Sequence, residues 1–296
     1  MANLKDISRQ IKSVKGTAKT TKAMKLVSSA KLRRTQVLAE AAKAYSAKIN
    51  EVLNEIASKV SAIHGDNEDL SRAFKTINNV KTVDLVFVTA DKGLCGGFNM
   101  ATIKAVRKLR NEYISKGVEV RLRAVGRKGI DYFNFQEIEL LNRELGLSSA
   151  PTYEKASEFI VKVFEDFNNE KTDKVILIHN GFVNMLTQKL STNTLLPISM
   201  DAHKDLNASS TMDVEPEDNE DEILDGLASK FVEFNMYYSL VDSLSAEHSA
   251  RMQSMDAATK NANEKVDSLT VEFNKARQAA ITTELIEIIS GVESMK

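Results

Sequence analysis

The chain has 296 residues, 27% of them charged, and a formal net charge of -1 at pH 7. That length holds one to two domains. No apolar run is long enough to span a bilayer, which excludes an integral helical membrane protein. A single cysteine excludes an intrachain disulfide and fits a reducing compartment, and the absence of Trp points to a lean core.

From Thr17 to His64 there is neither Pro nor Gly. A helix from about Leu4 to His64 would be about 90 Å long, whereas a compact globule of this chain length is about 50 Å across. Such a helix needs a partner, because a lone one is marginal in water. The spacing says which kind. Leu4, Ile11, Ala18, Lys25, Leu32, Ala39, Ser46, Leu53 and Val60 form one seven-residue row, and Ile7, Val14, Thr21, Ser28, Thr35, Ala42, Ile49, Ile56 and Ile63 form another. A sustained 3-4 spacing predicts a left-handed coiled coil. The middle of the seam is small or polar where a coil built for stability would carry Leu or Ile. Met24 and Val27 fall off the seam, free to meet something else.

This first helix is also basic. Residues 1–50 carry twelve Lys and Arg but only two acids, Asp6 and Glu40. Such a stretch is a solvated face, a nucleic-acid surface or the complement of an acidic protein. Its one aromatic, Tyr45, gives little to stack on a single strand. The composition also suits a transit peptide, but the heptad register runs on without a break.

The central stretch reads as α/β. Val83 to Val88 suits a buried strand, followed by a glycine-rich turn, Asp91-Lys92-Gly93-Leu94-Cys95-Gly96-Gly97. Asn99 is placed to cap a helix that ends near Ser115, before Gly117. Val118–Val125 reads as a strand, Pro151 to Phe167 as a helix, Lys174–His179 as a strand, and Val183–Ser199 as further strand. Alternation of this kind predicts a mostly parallel, Rossmann-like sheet. The turn lies where phosphate sites occur, but its glycines lack G-x-G-x-x-G spacing and no Gly-Lys-Ser/Thr follows. It reads as a structural turn, and Cys95 as a small buried thiol. His64, His179, His203 and His248 show no metal-ligand spacing.

Acids cluster from Asp213 to Asp225, without the glycine and spacing of a calcium loop. They read as a solvated linker. From Leu227 to Ser290 there is again neither Pro nor Gly. One row there is Leu227, Phe234, Val241, His248, Met255, Ala262, Leu269 and Ala276. The other is Phe231, Tyr238, Ser245, Met252, Thr259, Val266, Phe273 and Ala280. Beyond Ala280 the apolar positions shift to Ile281, Leu285, Ile288 and Val292, a stutter in the supercoil. The expected organisation is a coiled-coil helix over 1–65, a Rossmann-like α/β domain over 75–205, an acidic linker over 206–221 and a second coiled-coil helix over 222–296. Each long helix needs a partner, and the cheapest is the other end of the same chain.

Three groups of residues carry a family resemblance. Thr20-Thr21-Lys22-Ala23-Met24-Lys25-Leu26-Val27 with Ala30-Lys31-Leu32-Arg33-Arg34 resembles the first helix of the F-type ATP synthase gamma subunits. The turn at Asp91–Gly97 is similar too. So are Ser245-Ala246-Glu247-His248-Ser249-Ala250-Arg251-Met252 and Asn274-Lys275-Ala276-Arg277-Gln278-Ala279-Ala280-Ile281-Thr282. The resemblance spans essentially the whole chain.

It implies a rotor shaft with no catalytic residue, cofactor or metal of its own. The two terminal helices would form an antiparallel left-handed coiled coil and turn inside a ring of alpha and beta subunits, and the α/β domain would sit near the epsilon subunit and the c-ring. No nucleic acid is implied, and membrane contact runs only through the c-ring, at the cytoplasmic face of the bacterial inner membrane. By matching motif, Gln278, Thr282 and Glu284, with Arg277 beside them, resemble positions that meet a catch loop of the beta subunit. Met24 resembles one that faces the beta subunit's acidic loop. Glu247 and Arg251 resemble a pair that affects rotor–stator coupling. Glu215-Pro216 resembles a pair near the c-ring foot, although Val214 stands where a Tyr often precedes it. No cysteine-containing insertion of the chloroplast kind is present.

Overall fold

The computed structural model describes residues 4–64, 71–198 and 220–295, without the side chains of Asn50, 54–64 and 220–223. Glu215, Val214, His203 and nearly all of the expected acidic linker lie outside the described residues. The chain falls into two units, residues 1–30 with 251–296, and residues 31–250. Two long helices thread both: α1 (Leu4–His64, 61 residues) and α5 (Glu220–Glu293, 74 residues). Between them come β1 (Thr82–Val88), α2 (Phe98–Ser115), β2 (Glu119–Val125), α3 (Arg127–Phe135), β3 (Asn142–Glu144), α4 (Tyr153–Asn168), β4 (Lys174–Phe182) and β5 (Gln188–Leu196).

The heptad rows of α1 are its covered face. Ile7, Ala18, Thr21, Ser28, Leu32, Thr35, Ser46 and Leu53 are buried, and Leu4, Ile11, Val14, Lys25, Ala39, Ala42 and Ile49 are half-buried. Nearly every other described residue of α1 is exposed. In the smaller unit, Lys25 Nζ meets Asp256 Oδ1 at 2.7 Å, and the hydroxyls of Thr21 and Thr259 lie 2.7 Å apart. One number falls as the other rises, so the helices run antiparallel. On α5, Met255, Ala262, Val266 and Leu269 are buried, and Met252, Thr259, Phe273 and Ala276 are half-buried, the expected rows. In the larger unit, Ser46 Oγ donates to Asn235 Oδ1 at 3.2 Å, and Tyr45 packs on Phe234 with ring centroids 4.3 Å apart.

The larger unit holds a five-stranded sheet in the order β3-β2-β1-β4-β5. The first four strands are parallel, and β5 runs antiparallel to β4. Alternation along β1 divides the core. Val83, Leu85 and Phe87 face α2 and α3, meeting Ile103, Val106, Ile130 and Phe133. Val86 and Val88 face the opposite side, with Ile160, Val163 and Phe167 of α4. That second face also receives α5. Leu224, Ala228, Val232, Met236 and Leu240, four residues apart, join the same core, each of the larger ones worth roughly 1.5–3 kcal/mol of burial.

Several expectations change. Asn99 does not cap α2. Gly97 holds the N-cap without a side-chain bond, while Asn99 Oδ1 accepts from Ala90 N at 2.8 Å and Nδ2 donates to Cys95 Sγ at 3.3 Å. The strand expected from Val183 begins only at Gln188, because Asn184 Oδ1 accepts from Leu186 N and Thr187 N and closes a tight turn. Helix α3 and strand β3 were not foreseen. α3 packs its backbone onto the end of β1: Gly129 N donates to Thr89 Oγ1 at 2.9 Å, and a Cβ at position 129 would lie 2.7 Å from Phe87. Gly126, with φ +94, would drive a Cβ into the Thr89 carbonyl.

A buried ionic network was also unforeseen. Asp84, wholly buried on β1, pairs with Arg121 and Arg123 at 2.6 Å each. Arg123, 1% exposed, also donates to Asp166 of α4 and to Asn142 of β3. It joins three elements at one end of the sheet, and its partners satisfy what would otherwise be a costly buried charge.

Candidate functional site

The glycine-rich turn after β1 is filled by its own chain. The Asp91 carboxylate accepts from Arg127 N at 3.0 Å, Gly146 N at 3.3 Å, Ser148 Oγ at 3.0 Å and Ser149 Oγ at 2.7 Å. Burial pushes this carboxyl up, but the bonds from Ser149, Arg127, Ser148 and Gly146 outweigh it and hold it below the usual carboxylate range. It therefore sits as an anion at the N-terminus of α3, where a phosphate would otherwise be stabilised. Cys95 is buried. The turn is thus tied to its own chain through Asp91.

What the turn holds is α5. Ala90, Cys95 and Phe98 pack with Ala246 and Ala250 of α5 and with Phe182 at the end of β4. Polar bonds lie on either side. Asp242 Oδ1 accepts from Phe182 N at 3.0 Å, and Oδ2 lies 3.2 Å from His179 Nε2. Gly181 is required here, since a Cβ there would lie 2.6 Å from Asp242 Oδ2. Beyond Ala246, Ser249 Oγ donates to Met185 O at 2.8 Å and accepts from Gln188 Nε2 at 3.2 Å. Nearer the start of α5, Glu233 accepts from Tyr153 at 2.6 Å and from Ser157 at 2.7 Å, both on α4. Burial raises Glu233, and the bonds from Tyr153, Ser157 and Lys230 bring it below its ordinary value.

Two other surfaces are turned outward. Among the described side chains of α1, the basic ones are exposed except for half-buried Lys25. Lys12, Lys15, Lys19 and Lys22 find no ion-pair partner among the described residues. Leu26, Val27, Val37 and Leu38 are exposed on the same helix. At the far end of α5, Ile281, Leu285, Ile288, Ile289 and Val292 are all at least half exposed. The described residues include no helix long and apolar enough to cross a membrane.

The sequence model of the family described as ATP synthase matches residues 3–295. An ATP synthase gamma chain of Aliarcobacter butzleri is 62% identical over 296 residues, and one of Campylobacter curvus is 56% identical, both covering all of each chain. The chain belongs to the ATP synthase gamma-chain family. Its fold is shared with a chain of the Euglena gracilis mitochondrial ATP synthase (OSCP/F1/c-ring), at TM-score 0.65, 18% identity, 99% of this chain and 94% of that one. A chain from the central stalk/c-ring of the Tetrahymena thermophila enzyme aligns at TM-score 0.60 and 22% identity, covering 81% of this chain and 99% of that one.

The described positions singled out from gamma-chain motifs sit on different stretches of α1 and α5. Met24 is half-buried beside the seam. Arg277, Gln278, Thr282 and Glu284 are exposed on the free end of α5, with Thr282 Oγ1 returning to Gln278 O at 3.0 Å. Glu247 and Arg251 are buried, at 4% and 9% exposure. Sequence reasoning missed Asp242, His179 and Ser249 as anchors of α5. The available signal was the small residues Ser245, Ala246, Ser249 and Ala250, which let backbones approach closely.

Proposed function

We propose that this chain is the central rotor shaft of a proton-driven F-type ATP synthase, coupling c-ring rotation to the conformational cycling of catalytic sites on an alpha/beta ring. The observation that carries the reading is the end-to-end identity of 62% with a gamma chain. The geometry supports it. α1 and α5 are mated along a seam free of proline, so neither helix has a hinge of that kind. Their outward faces differ: α1 is basic, and the last turns of α5 are apolar and exposed. A shaft that presses unequally on similar neighbours needs such a difference. Exposed charge pairs are individually weak, which suits contacts that must release on every turn. Burial of the apolar tip in a sleeve is non-directional and permits rotation.

On this reading the chain supplies no catalytic residue and holds no nucleotide. Its partners are the alpha and beta subunits, the epsilon subunit and the c-ring, and it is peripheral, at the cytoplasmic face of the inner membrane. Gln278, Thr282 and Glu284, with Arg277, meet the beta catch loop; Met24 faces the beta acidic loop; Glu247 and Arg251 set rotor–stator coupling; Glu215 lies at the c-ring and epsilon foot. The test is mass spectrometry of a native pull-down on the tagged chain. Alpha, beta, epsilon and c subunits are expected. A stable solitary monomer with turnover of its own would overturn the reading.

A further inference from the structure

Helix α2 covers the sheet with one side and leaves the other to solvent. Ile103 and Val106 are buried in the core it shares with α3, and Leu109 and Tyr113 pack against them. The outward stripe runs Met100, Lys104, Arg107, Asn111 and Ile114, the 3-4 spacing of a single helix face, and each of these residues is exposed. Its ends are apolar, with Met100 42% and Ile114 47% exposed. Its middle is basic, and Lys108 stands beside Arg107 there. Glu112 is the one acid of α2, and it lies 3.8 Å from Lys108. Lys104 and Arg107 meet no carboxylate among the described residues; Arg107 Nη1 donates instead to the hydroxyl of Tyr132 on α3, at 3.0 Å. We infer that the outer face of α2 docks an acidic helix of another protein, whose carboxylates meet Lys104, Arg107 and Lys108 and whose apolar residues meet Met100 and Ile114.

The sign of the charge selects an acidic partner, and the geometry selects a helical one. α2 has 18 residues, a stripe of about 27 Å. A helix laid along it repeats its own side chains at the same spacing, so carboxylates three and four residues apart fall opposite the three cations. Arg107 adds a planar fork that suits a carboxylate. A membrane surface fits less well. A helix that lies in the interface buries an apolar face in lipid, and the apolar face of α2 is already spent on its own core. A single nucleic-acid strand would want exposed rings to stack on, and the stripe has none. Exposed ion pairs are individually weak, so the apolar ends must add to them and docking should be reversible and salt-sensitive. The α2 side of the sheet is opposite the side that receives α5. The inference therefore stands apart from the rotor reading.

The probe is a labelled synthetic helical peptide matched to α2 in length, with Glu at successive 3-4 positions in its middle and Leu at both ends. Its binding to the full chain is read by fluorescence anisotropy. The basic stretch of α1 also attracts acid, so the deciding comparison is the variant Lys104→Glu, Arg107→Glu, Lys108→Glu. These side chains are exposed, and circular dichroism checks that the variant folds; if it does not, Arg107→Glu alone decides. The variant should bind the peptide at least about tenfold more weakly, since three attractive contacts become repulsive. It should gain affinity for a peptide with Lys in place of Glu. A scrambled peptide of the same composition should bind the parent several-fold more weakly than the ordered one. In membranes that carry the chain with its natural partners, zero-length carbodiimide coupling should join Lys104 or Lys108 to an Asp or Glu in a helix of another protein, as mapped by mass spectrometry. Equal peptide binding by parent and variant overturns the surface, and equal binding of ordered and scrambled peptides overturns the helical partner. If the substitutions weaken binding to phosphatidylglycerol vesicles or to duplex DNA more than binding to the peptide, the partner is lipid or nucleic acid and the inference fails. None of these readouts needs alpha or beta subunits, so the rotor reading stands or falls separately.

Discussion

The two ends of α5 are built of the same helix and serve opposite ends. From Leu224 to Ala250 it is covered on more than one side: one face lies in the α/β core, another along the seam, and from Ser239 to Arg251 every residue is buried. From Arg277 to Met295 every residue is exposed, although Ile281, Leu285, Ile288 and Val292 make a stripe as apolar as the buried one. Hydrophobicity alone does not separate these regions. Residue size and polar anchoring do. The gripped stretch interleaves Ala and Ser with single, bonded polar groups such as Asp242 and Glu233, whereas the free end carries large aliphatics that stay exposed among the described residues. A face of small residues fits what the chain already holds; a face of large exposed ones awaits something outside it.

The sharpest way to break this comparison is to place the same charge on each region. Leu240→Asp buries an unpaired carboxylate among Val86, Phe159 and Met236 of the core. It should cost more than about 4 kcal/mol and unfold much of the α/β unit, read as loss of the urea transition and of near-ultraviolet ellipticity. A Leu240→Asp chain with parental stability would mean that α5 is not part of that core.

Acid titration separates the regions next. Asp91, Asp166 and Glu233 all lie in the gripped unit, and all are pushed up by burial but held below their ordinary values by stronger hydrogen bonding. On Asp166 the bonds come from Arg123 and Lys171. A depressed carboxyl adds stability that is complete above its unfolded pKa, about 4 for these groups, and is lost as pH falls through the lower folded value. The midpoint of thermal unfolding of residues 31–250 should hold from about pH 7 to pH 5 and fall below about pH 4. Glu233→Gln should flatten part of that fall; an identical pH profile in the variant would remove Glu233 from the account.

Much of this was legible in sequence, for physical reasons that also mark what was not. Heptad spacing is a one-dimensional signal, so the rows of α1 from Leu4 to Leu53 could be read directly and match its covered positions. The strands at Val83, Val118 and Lys174 announced themselves as β-branched runs between breakers. The glycine-rich turn was legible as the break between β1 and α2, since clustered glycines punctuate regular structure. Asp84 with Arg121 and Arg123 was not legible, since pairing between β1 and β2 is a matter of register across distant residues. Nor was the role of Asp242. It stands among seam positions, and only the sheet brings His179 and Phe182 against it. α3 escaped because Gly129 sits inside it, and glycine usually argues against a helix; here close approach to Phe87 and Thr89 requires it.

The seam offers a smaller test. Lys25 and Asp256 meet at 2.7 Å with side chains about two-fifths exposed, 40% and 37%. The Asp256 carboxyl is held below its ordinary value first by its bond from Lys25 and then by the charges of Lys25 and Lys260, against a smaller opposing effect of desolvation. Solvent screens such a pair, so Lys25→Met should leave stability nearly unchanged. Its effect should instead lie in register. A polar pair in an apolar seam disfavours slipped alignments, so cysteines at Thr21 and Thr259 should cross-link readily in the parent background and less selectively with Lys25→Met. Equal selectivity in both backgrounds would leave the pair without a registering role.

The smallest expected change in stability belongs to the free end, and it is the most telling. Leu285 is 54% exposed, so Leu285→Asp should shift unfolding by no more than about 0.5 kcal/mol in the isolated chain. The same substitution that ruins the gripped stretch should leave this one folded. If the tip turns in an apolar sleeve of the alpha/beta ring, the cost appears only on assembly, where a carboxylate would have to enter that sleeve without a partner. Reconstitution with alpha and beta subunits, followed by ATP-driven proton pumping, reads this directly. Normal stability with weakened coupling places the function of the stripe outside the chain, whereas a destabilised isolated chain would show that α5 packs its tip against its own fold.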